Sequence, residues 1–549
     1  MLRKKGIGIG IDDFKSVIKD NCYFIDKTKL IEEILLDGAK IKLFCRPRRF
    51  GKTLNMSMMK YFFDIREKNE NSSLFNGLYI ENSPLKEEQG KYPVIFITLK
   101  SLTTSSWESF LEEFKIKIFE LYDNFKDIIE QLEDDDENRR FFYKFMSRDV
   151  NEAELKNSLK FLLKLLYKKY HEKVILLIDE YDTPILTAYE NGYYDMAVKF
   201  FKGFYGDALK TNEYLQMGVL TGVIRVAQAG IFSDLNNFYS NTILEKEYSQ
   251  YFGLLESEVE DVLKYYGIDY KLSEVKEWYN GYTFGKTQVY NPWSILHFIR
   301  TRELKPFWVN TSSNYLIREV LKNSEQDIFK NLEKLFNKEE LVTRVDSNVE
   351  VHTHLAENEI YSLMLFSGYL TLGESITTDI YSVRIPNKEI MSFFYNTFIN
   401  IVFSRVSIID NVKVALITKN LKLLEDSIEK LVLENLSSFD VIQKENSYHM
   451  FLLGFLTAMK TDYEPHSNIE SGYGRADIIL EPLNKDRTGY VLEIKLASDE
   501  NELGKKAENG VKQIEIKKYT QFLESKGIKD IVKIGIAFKG KKVEFRYMS

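Results

Sequence analysis

From Lys40 to Phe63 the chain reads KIKLFC, then RPRRFGKT, then LNMSMMKYFF, and this order restricts the fold more than any other stretch. The first block, closed by Leu43, Phe44 and Cys45, reads as a short buried strand. The last has apolar side chains at helical spacing through Met56, Met59 and Phe63. A strand, a tight loop and a helix therefore follow one another, with the Gly51-Lys52-Thr53 triplet at the helix start. Further strands are expected at Val94 to Leu99, Val174 to Ile178 and Gly218 to Val223, separated by helical stretches at 103–123 and 154–171. Strands alternating with long helices predict a largely parallel α/β sheet.

At 549 residues the chain is long enough for about three or four domain-sized units. Hydrophobic residues at 44% and charged residues at 29% exclude a disordered or low-complexity chain. The formal charge of −7 gives no overall attraction to nucleic acid, so any such contact must be local. Cys22 and Cys45 are the only cysteines, which excludes a cysteine-built metal cluster and fits a reducing cytoplasm. No leader pattern opens the sequence, and no uncharged apolar run of about eighteen residues occurs, so neither secretion nor a membrane span is expected.

Three segments are expected: 1–250 around the parallel sheet, a mainly helical connector or regulatory segment over 251–435, and a second α/β unit over 436–549. In the last, a helix at 447–460 precedes strands at Ala476–Leu480 and Tyr490–Leu496, a helix at 505–524 and a strand at Lys533–Phe538. Residues 511–549 carry ten Lys or Arg against four Asp or Glu, which suits a phosphate partner or a solvated surface equally. Tyr279, Tyr282, Phe284 and Trp293 read as interdomain packing, or as exposed rings for stacking bases. The histidines form no catalytic cluster; His352 and His354 alternate as strand ligands would but lack a third.

Arg46-Pro-Arg-Arg-Phe-Gly-Lys-Thr53 matches the second half of a phosphate-binding loop. Lys52 can reach β- and γ-phosphates, Thr53 can place a hydroxyl on Mg²⁺, and amides at the helix start converge on phosphate oxygens. Arg46 stands where the full motif has its first glycine, which requires a backbone angle that Arg can adopt or a rearranged loop. The apolar run 174–178 ends in Asp179-Glu180, with Asp179 suited to Mg²⁺ and Glu180 to orienting and deprotonating a water. Thr221 is placed near the phosphates. Arg225 reads as a charge sensor or finger, or as a strand-end salt bridge. Arg48 and Arg49 either touch phosphate or fix the loop. Asp182, before Thr183-Pro184, reads as a turn residue.

Near the other end, Asp477 and the pair Glu493 and Lys495 fall on two adjacent expected strands. Two-residue spacing puts Glu493 and Lys495 on one face while Leu492 and Ile494 enter the core. Two carboxylates can hold Mg²⁺ against a phosphate, and Lys495 can position water or stabilise developing charge. The alternative is an exposed ion pair on an edge strand. Glu464 and Glu470 lie in a polar, turning stretch and receive no role.

Together, Tyr23 to Thr28, Arg46 to Thr53, Leu177 to Asp182 and Trp278 to Gly285 resemble the bacterial and archaeal AAA-ATPase-like family, members of which often carry a C-terminal PD-(D/E)XK nuclease-like domain. The resemblance implies an ASCE-type P-loop core and a restriction-endonuclease-like α/β domain. Asp477, Glu493 and Lys495 match that nuclease pattern, with Ala476 in place of its proline. Gln513 and Tyr519 resemble the Gln and Tyr of a nuclease subset, although residues six apart on one helix need not share a face. The expected function is an ATP-hydrolysing unit controlling a Mg²⁺-dependent or Mn²⁺-dependent DNA phosphodiesterase, with RNA and a homo-oligomer left open. The alternative is a nucleotide-gated module that binds nucleic acid or protein without cutting.

Overall fold

The computed structural model describes residues 4–131, 136–226, 238–269, 271–308, 331, 334–335, 339–349, 356–394, 406–435, 445–456, 459 and 462–548. His352 and His354 lie outside them. The chain forms two compact units, Met1–Met391 and Ser392–Ser549.

The first unit is built on strands β1 (Ile41–Cys45), β2 (Val94–Thr98), β3 (Val174–Asp179) and β4 (Leu215–Gly222). The two-residue strand β5 (Arg225–Val226) leaves this sheet, and β6 (Phe238–Asn241) returns to it. The order is β2-β3-β4-β1-β6, every pair parallel. Helices such as Lys52–Phe63 and Glu152–Tyr170 connect the strands and cover the sheet, which is why β1 and β3 are buried along their whole length; β3 is apolar up to Asp179, while β1 carries Lys42, whose ammonium donates to the Asp37 and Ala39 carbonyls. Register pairs Phe44 with Thr221 and Ile178 with Leu220, so β1, β3 and β4 end at one level. In such sheets ligands bind outside these carboxyl ends.

The rest of this unit is largely helical, with helices Glu256–Tyr266, Leu272–Tyr279, Pro292–Thr301 and Glu357–Phe366. Small β elements accompany them: the hairpin β7 (Tyr282–Phe284) and β8 (Thr287–Val289), then β9 (Leu341–Arg344), β10 (Asn348–Val349), β11 (Thr371–Ser375) and β12 (Ile380–Arg384). Strand β10 pairs with β5, and β11-β12-β9 form an antiparallel sheet. Tyr279, Tyr282 and Phe284 are fully buried inside this unit, which corrects the base-stacking expectation for all three.

Glu389 is a buried carboxyl here. It accepts from the Trp308 amide at 2.7 Å and the Ser294 hydroxyl at 2.8 Å. Burial outweighs these bonds and pushes its pKa up to about 7. An unfolded Glu titrates near about 4.3, so the folded state holds the proton more tightly. The resulting stabilisation is full below about 4.3 and is lost as pH rises to 7, a change of about 4 kcal/mol. Urea unfolding of Glu389→Gln is expected to flatten this part of the stability profile; an unchanged slope would refute the assignment.

The second unit carries β13 (Tyr463–Ser471), β14 (Gly474–Pro482), β15 (Gly489–Leu496), β16 (Ile531–Lys539) and β17 (Lys542–Met548), in that order across the sheet. Only β15 and β16 are parallel; helix Leu503–Lys517 makes the crossover between them. Leu492 and Ile494 enter a core with residues of helices Val406–Ile417, Leu421–Asn435 and Glu445–Leu456, while Val491 packs with Ile514 on the other face. Glu464 and Glu470 stand on edge strand β13, not in a turn. Half of the ten basic residues of 511–549 face a carboxylate: Lys512, Lys526, Lys533, Lys542 and Arg546.

Candidate functional site

At the carboxyl edge of the parallel sheet, the loop 46–51 joins β1 to the helix Lys52–Phe63. Gly51 caps that helix with φ of 84°, a left-handed angle that suits glycine. The Lys52 ammonium is buried and donates to the carbonyls of Arg46 and Pro47, each at 2.9 Å. An ammonium has three donors, so one remains for a phosphate. Burial lowers the Lys52 pKa, opposed by the charges of Glu180, Asp179 and Asp182.

The Thr53 hydroxyl donates to Asp179 Oδ2 at 2.9 Å, and the Thr221 hydroxyl donates to Asp179 Oδ1 at 2.5 Å. One carboxylate thus ties the helix start to β3 and β4. Burial raises the Asp179 pKa against those two bonds. A hydroxyl and a carboxylate in contact beside a buried ammonium are oxygen ligands suited to Mg²⁺ bound to phosphate. Glu180 follows at φ 53°, a strained left-handed position for a non-glycine residue, and accepts from the Thr183 hydroxyl at 3.1 Å.

Two residues have roles that sequence reasoning missed. Arg46 avoids left-handed backbone; its side chain is buried beneath the loop. It donates to the Cys45 and Asn241 carbonyls at 2.9 Å and to Asn241 Oδ1 at 2.5 Å, with Phe252 and Phe284 rings 4.9 and 5.5 Å away. The supposed first-glycine position is therefore an anchor to β6. Asp182 does stand in the turn before the helix Thr183–Glu190, but it does more than turn the chain. It is buried, and its Oδ2 accepts from the Val223 and Ile224 amides at 2.7 and 2.9 Å, bracing the bend that leads to Arg225. Burial raises its pKa to about 6.

Arg225 is half-buried at the start of β5, its guanidinium 6.0 Å from the Phe238 ring. Arg49 is exposed and lies 4.1 Å from the Trp293 ring, a loop-fixing contact. The Arg48 carbonyl accepts from Trp308 Nε1 at 3.0 Å, and the Arg48 charge acts on Glu190. A cavity of about 110 Å³ lies beside Phe50, Gly51 and Leu54, walled also by Ile25, Leu254 and Pro292. That is the scale of the ~150 Å³ apolar cavity known to admit one benzene ring.

In the second unit, Asp477 and Glu493 lie one step beyond the paired Ile478 and Leu492, on neighbouring strands β14 and β15. Glu493 is only 2% exposed, on the middle strand of the sheet, so the exposed edge-pair alternative does not describe it. Its Oε1 accepts from Lys495 at 2.9 Å and from Gln513 Nε2, while its Oε2 is buried with no hydrogen-bond partner among the described residues. Burial, then the Asp477 charge, pushes the Glu493 pKa up to about 7. Asp477 Oδ2 accepts from the Ile494 amide at 2.7 Å, and the Asp477 carbonyl contacts His449 Nε2 at 2.9 Å.

Gln513 also reaches the Tyr519 hydroxyl at 3.3 Å. They meet because the helix stops at Lys517 and Lys518 turns left-handed at φ 54°, redirecting Tyr519. An unpartnered carboxylate oxygen beside a second acid fits a divalent cation. Among the described residues no three His, Cys, Asp or Glu converge, so two protein carboxylates would hold such an ion and phosphate or water oxygens would complete its shell.

The parallel sheet with its strand–loop–helix and the mixed five-stranded sheet with its paired acids define a P-loop unit joined to a nuclease-like unit. Family models agree: residues 8–232 match the family described as "Predicted AAA-ATPase", and residues 443–547 match the PD-(D/E)XK nuclease superfamily. The chain thus carries an N-terminal AAA-ATPase-like domain and a C-terminal PD-(D/E)XK nuclease-like domain. It is similar to an uncharacterized protein in the vnfD 5' region of Azotobacter chroococcum mcd 1, 26% identical over 398 residues, or 71% of this chain and 69% of that one. Among the described residues no helix is long and apolar enough to cross a membrane.

Proposed function

We propose that the chain binds and hydrolyses ATP in its first unit and thereby controls cleavage of DNA phosphodiesters by its second. The observation that carries this reading is Asp179 bonded to both Thr53 and Thr221 next to the buried Lys52. Lys52 holds β- and γ-phosphate oxygens, Thr53 and Asp179 hold Mg²⁺, and Glu180 orients and deprotonates the attacking water. Arg48 adds charge to the phosphate side, Arg49 steadies the loop, and Gly51 keeps its amide turned to the phosphates. Arg225 senses the γ-phosphate from a bend fixed by Asp182. The base enters the cavity beside Phe50 and Leu54.

In the second unit Asp477 and Glu493 hold Mg²⁺ or Mn²⁺ against the scissile phosphate, the metal supplying charge neutralisation of the phosphoryl oxygens. Lys495 positions the nucleophilic water, and Gln513 aims Glu493. Segments 1–250, 251–435 and 436–549 then act as motor, connector and nuclease, in the cytoplasm.

The test measures ATP turnover and cleavage of plasmid and oligonucleotide DNA by the full chain in Mg²⁺ or Mn²⁺, with and without ATP. Turnover, and cleavage that changes with ATP, are expected. Absence of saturable ATP binding by folded protein would refute the first assignment. Metal-dependent DNA binding without cleavage would make the second unit a binding module.

A further inference from the structure

The turn between β13 and β14 consists of Gly472 and Tyr473, since Ser471 pairs with Gly474. This tip is clamped. Gly472 has φ 58°, and a Cβ there would stand 2.1 Å from the Lys517 carbonyl oxygen, so only glycine permits the approach. The Tyr473 amide donates to that same oxygen at 2.7 Å. Ser471 Oγ donates to the Tyr519 carbonyl at 2.7 Å and accepts from the Phe522 amide at 3.1 Å.

On this rigid mount the Tyr473 ring is 68% exposed, and neighbouring Ile516 is 73% exposed. Elsewhere in this unit aromatic rings such as Tyr463, Tyr490 and Phe538 are buried. One cation lies at the exposed ring. Lys518 Nζ is 5.5 Å from its centroid, Lys517, exposed, precedes it in the chain, and Arg475 is two residues from Tyr473 in sequence. Among the described residues the Arg475 guanidinium pairs with the highly exposed Glu470, at 3.5 Å, a contact too solvated to hold it from a phosphate.

The mount also reaches the acidic site. Gly474 abuts the Tyr519 hydroxyl, that hydroxyl meets Gln513, and Gln513 donates to Glu493. A nucleic acid held at Tyr473 is therefore held beside Glu493. Stacking needs a base with a free face, which paired bases within a duplex do not offer.

We propose that Tyr473 is a stacking post for single-stranded DNA, with Arg475, Lys517 and Lys518 gripping the adjoining phosphates. Delivery of the strand to Asp477 and Glu493 rests on the nuclease reading; the binding itself does not.

The test is fluorescence anisotropy of labelled oligo-dT with the full chain in EDTA, where a metal-dependent nuclease is silent. Tyr473→Ala is expected to weaken binding about 5- to 100-fold and Tyr473→Trp to restore it. Lys518→Ala is expected to weaken binding and reduce its salt dependence. Equal affinity of Tyr473→Ala and wild type, or an equal loss on blunt duplex, would overturn the proposal. Tighter binding of oligo-U with the same Tyr473 dependence would overturn the choice of DNA. If wild type binds oligo-dT through Tyr473 yet cleaves no DNA in Mg²⁺ or Mn²⁺, the nuclease reading fails and the stacking post stands.

Discussion

Lys52→Ala is expected to reduce ATP turnover by about 10²–10³-fold, the usual loss when a preorganised charge on a reacting phosphoryl group is removed. The size follows from where the ammonium sits. It is buried, and two of its three donors are committed to the loop carbonyls of Arg46 and Pro47. Its position is thus fixed before any nucleotide arrives, and little reorganisation is left for the reaction. Both carbonyls lose a donor in the variant, at about 1 kcal/mol each, but the cost of burying an ammonium disappears as well. The urea midpoint is therefore expected to move little. Lys52→Arg is not expected to rescue, because a planar guanidinium cannot meet two carbonyls and a phosphate from that point. Undiminished turnover by folded Lys52→Ala would remove Lys52 from the site.

The parts legible in the sequence were those with local periodicity. Buried β3 reads as an apolar run and β1 as a short strand despite its Lys42, and the Asp179 side chain meets Thr53 because parallel register brings the strand ends to one level. Glu493 and Lys495 meet through strand alternation alone. Illegible were contacts set by distant chain. Arg46 departs from the motif because Asn241 and two rings from 252 and 284 receive it. Asp182 stands in the expected turn, but its bracing role is illegible because the amides it holds lie 41 and 42 residues further on. Gln513 and Tyr519 were separated by assuming one continuous helix, whereas Lys518 breaks it. Strand β13 was missed because an edge strand with one solvated face carries polar residues such as Glu464, Ser467 and Glu470.

Glu493→Gln is expected to abolish metal-dependent cleavage, by about 10³-fold or more, while making the metal-free protein more stable at pH 8. Removing one of two metal carboxylates forfeits several kcal/mol of charge stabilisation, and each 1.36 kcal/mol is about tenfold in rate. Stability moves the other way for the same electrostatic reason. Burial, with Asp477 adding repulsion, holds the Glu493 pKa at about 7 against about 4.3 in an unfolded chain. The folded state therefore favours the protonated acid; its advantage is full below about 4.3 and is lost as pH rises to 7, a cost of about 4 kcal/mol. An amide has the shape of the acid without that charge. In EDTA, then, wild type should lose stability between pH 5 and 8 relative to Glu493→Gln, and added Mg²⁺ or Mn²⁺ should stabilise wild type alone. A variant that keeps cleaving would refute the metal role, whereas one that loses cleavage and also loses stability at pH 8 would show Glu493 to be a packing residue. Opposite signs in the two measurements separate a carboxylate kept for chemistry from one kept for the fold.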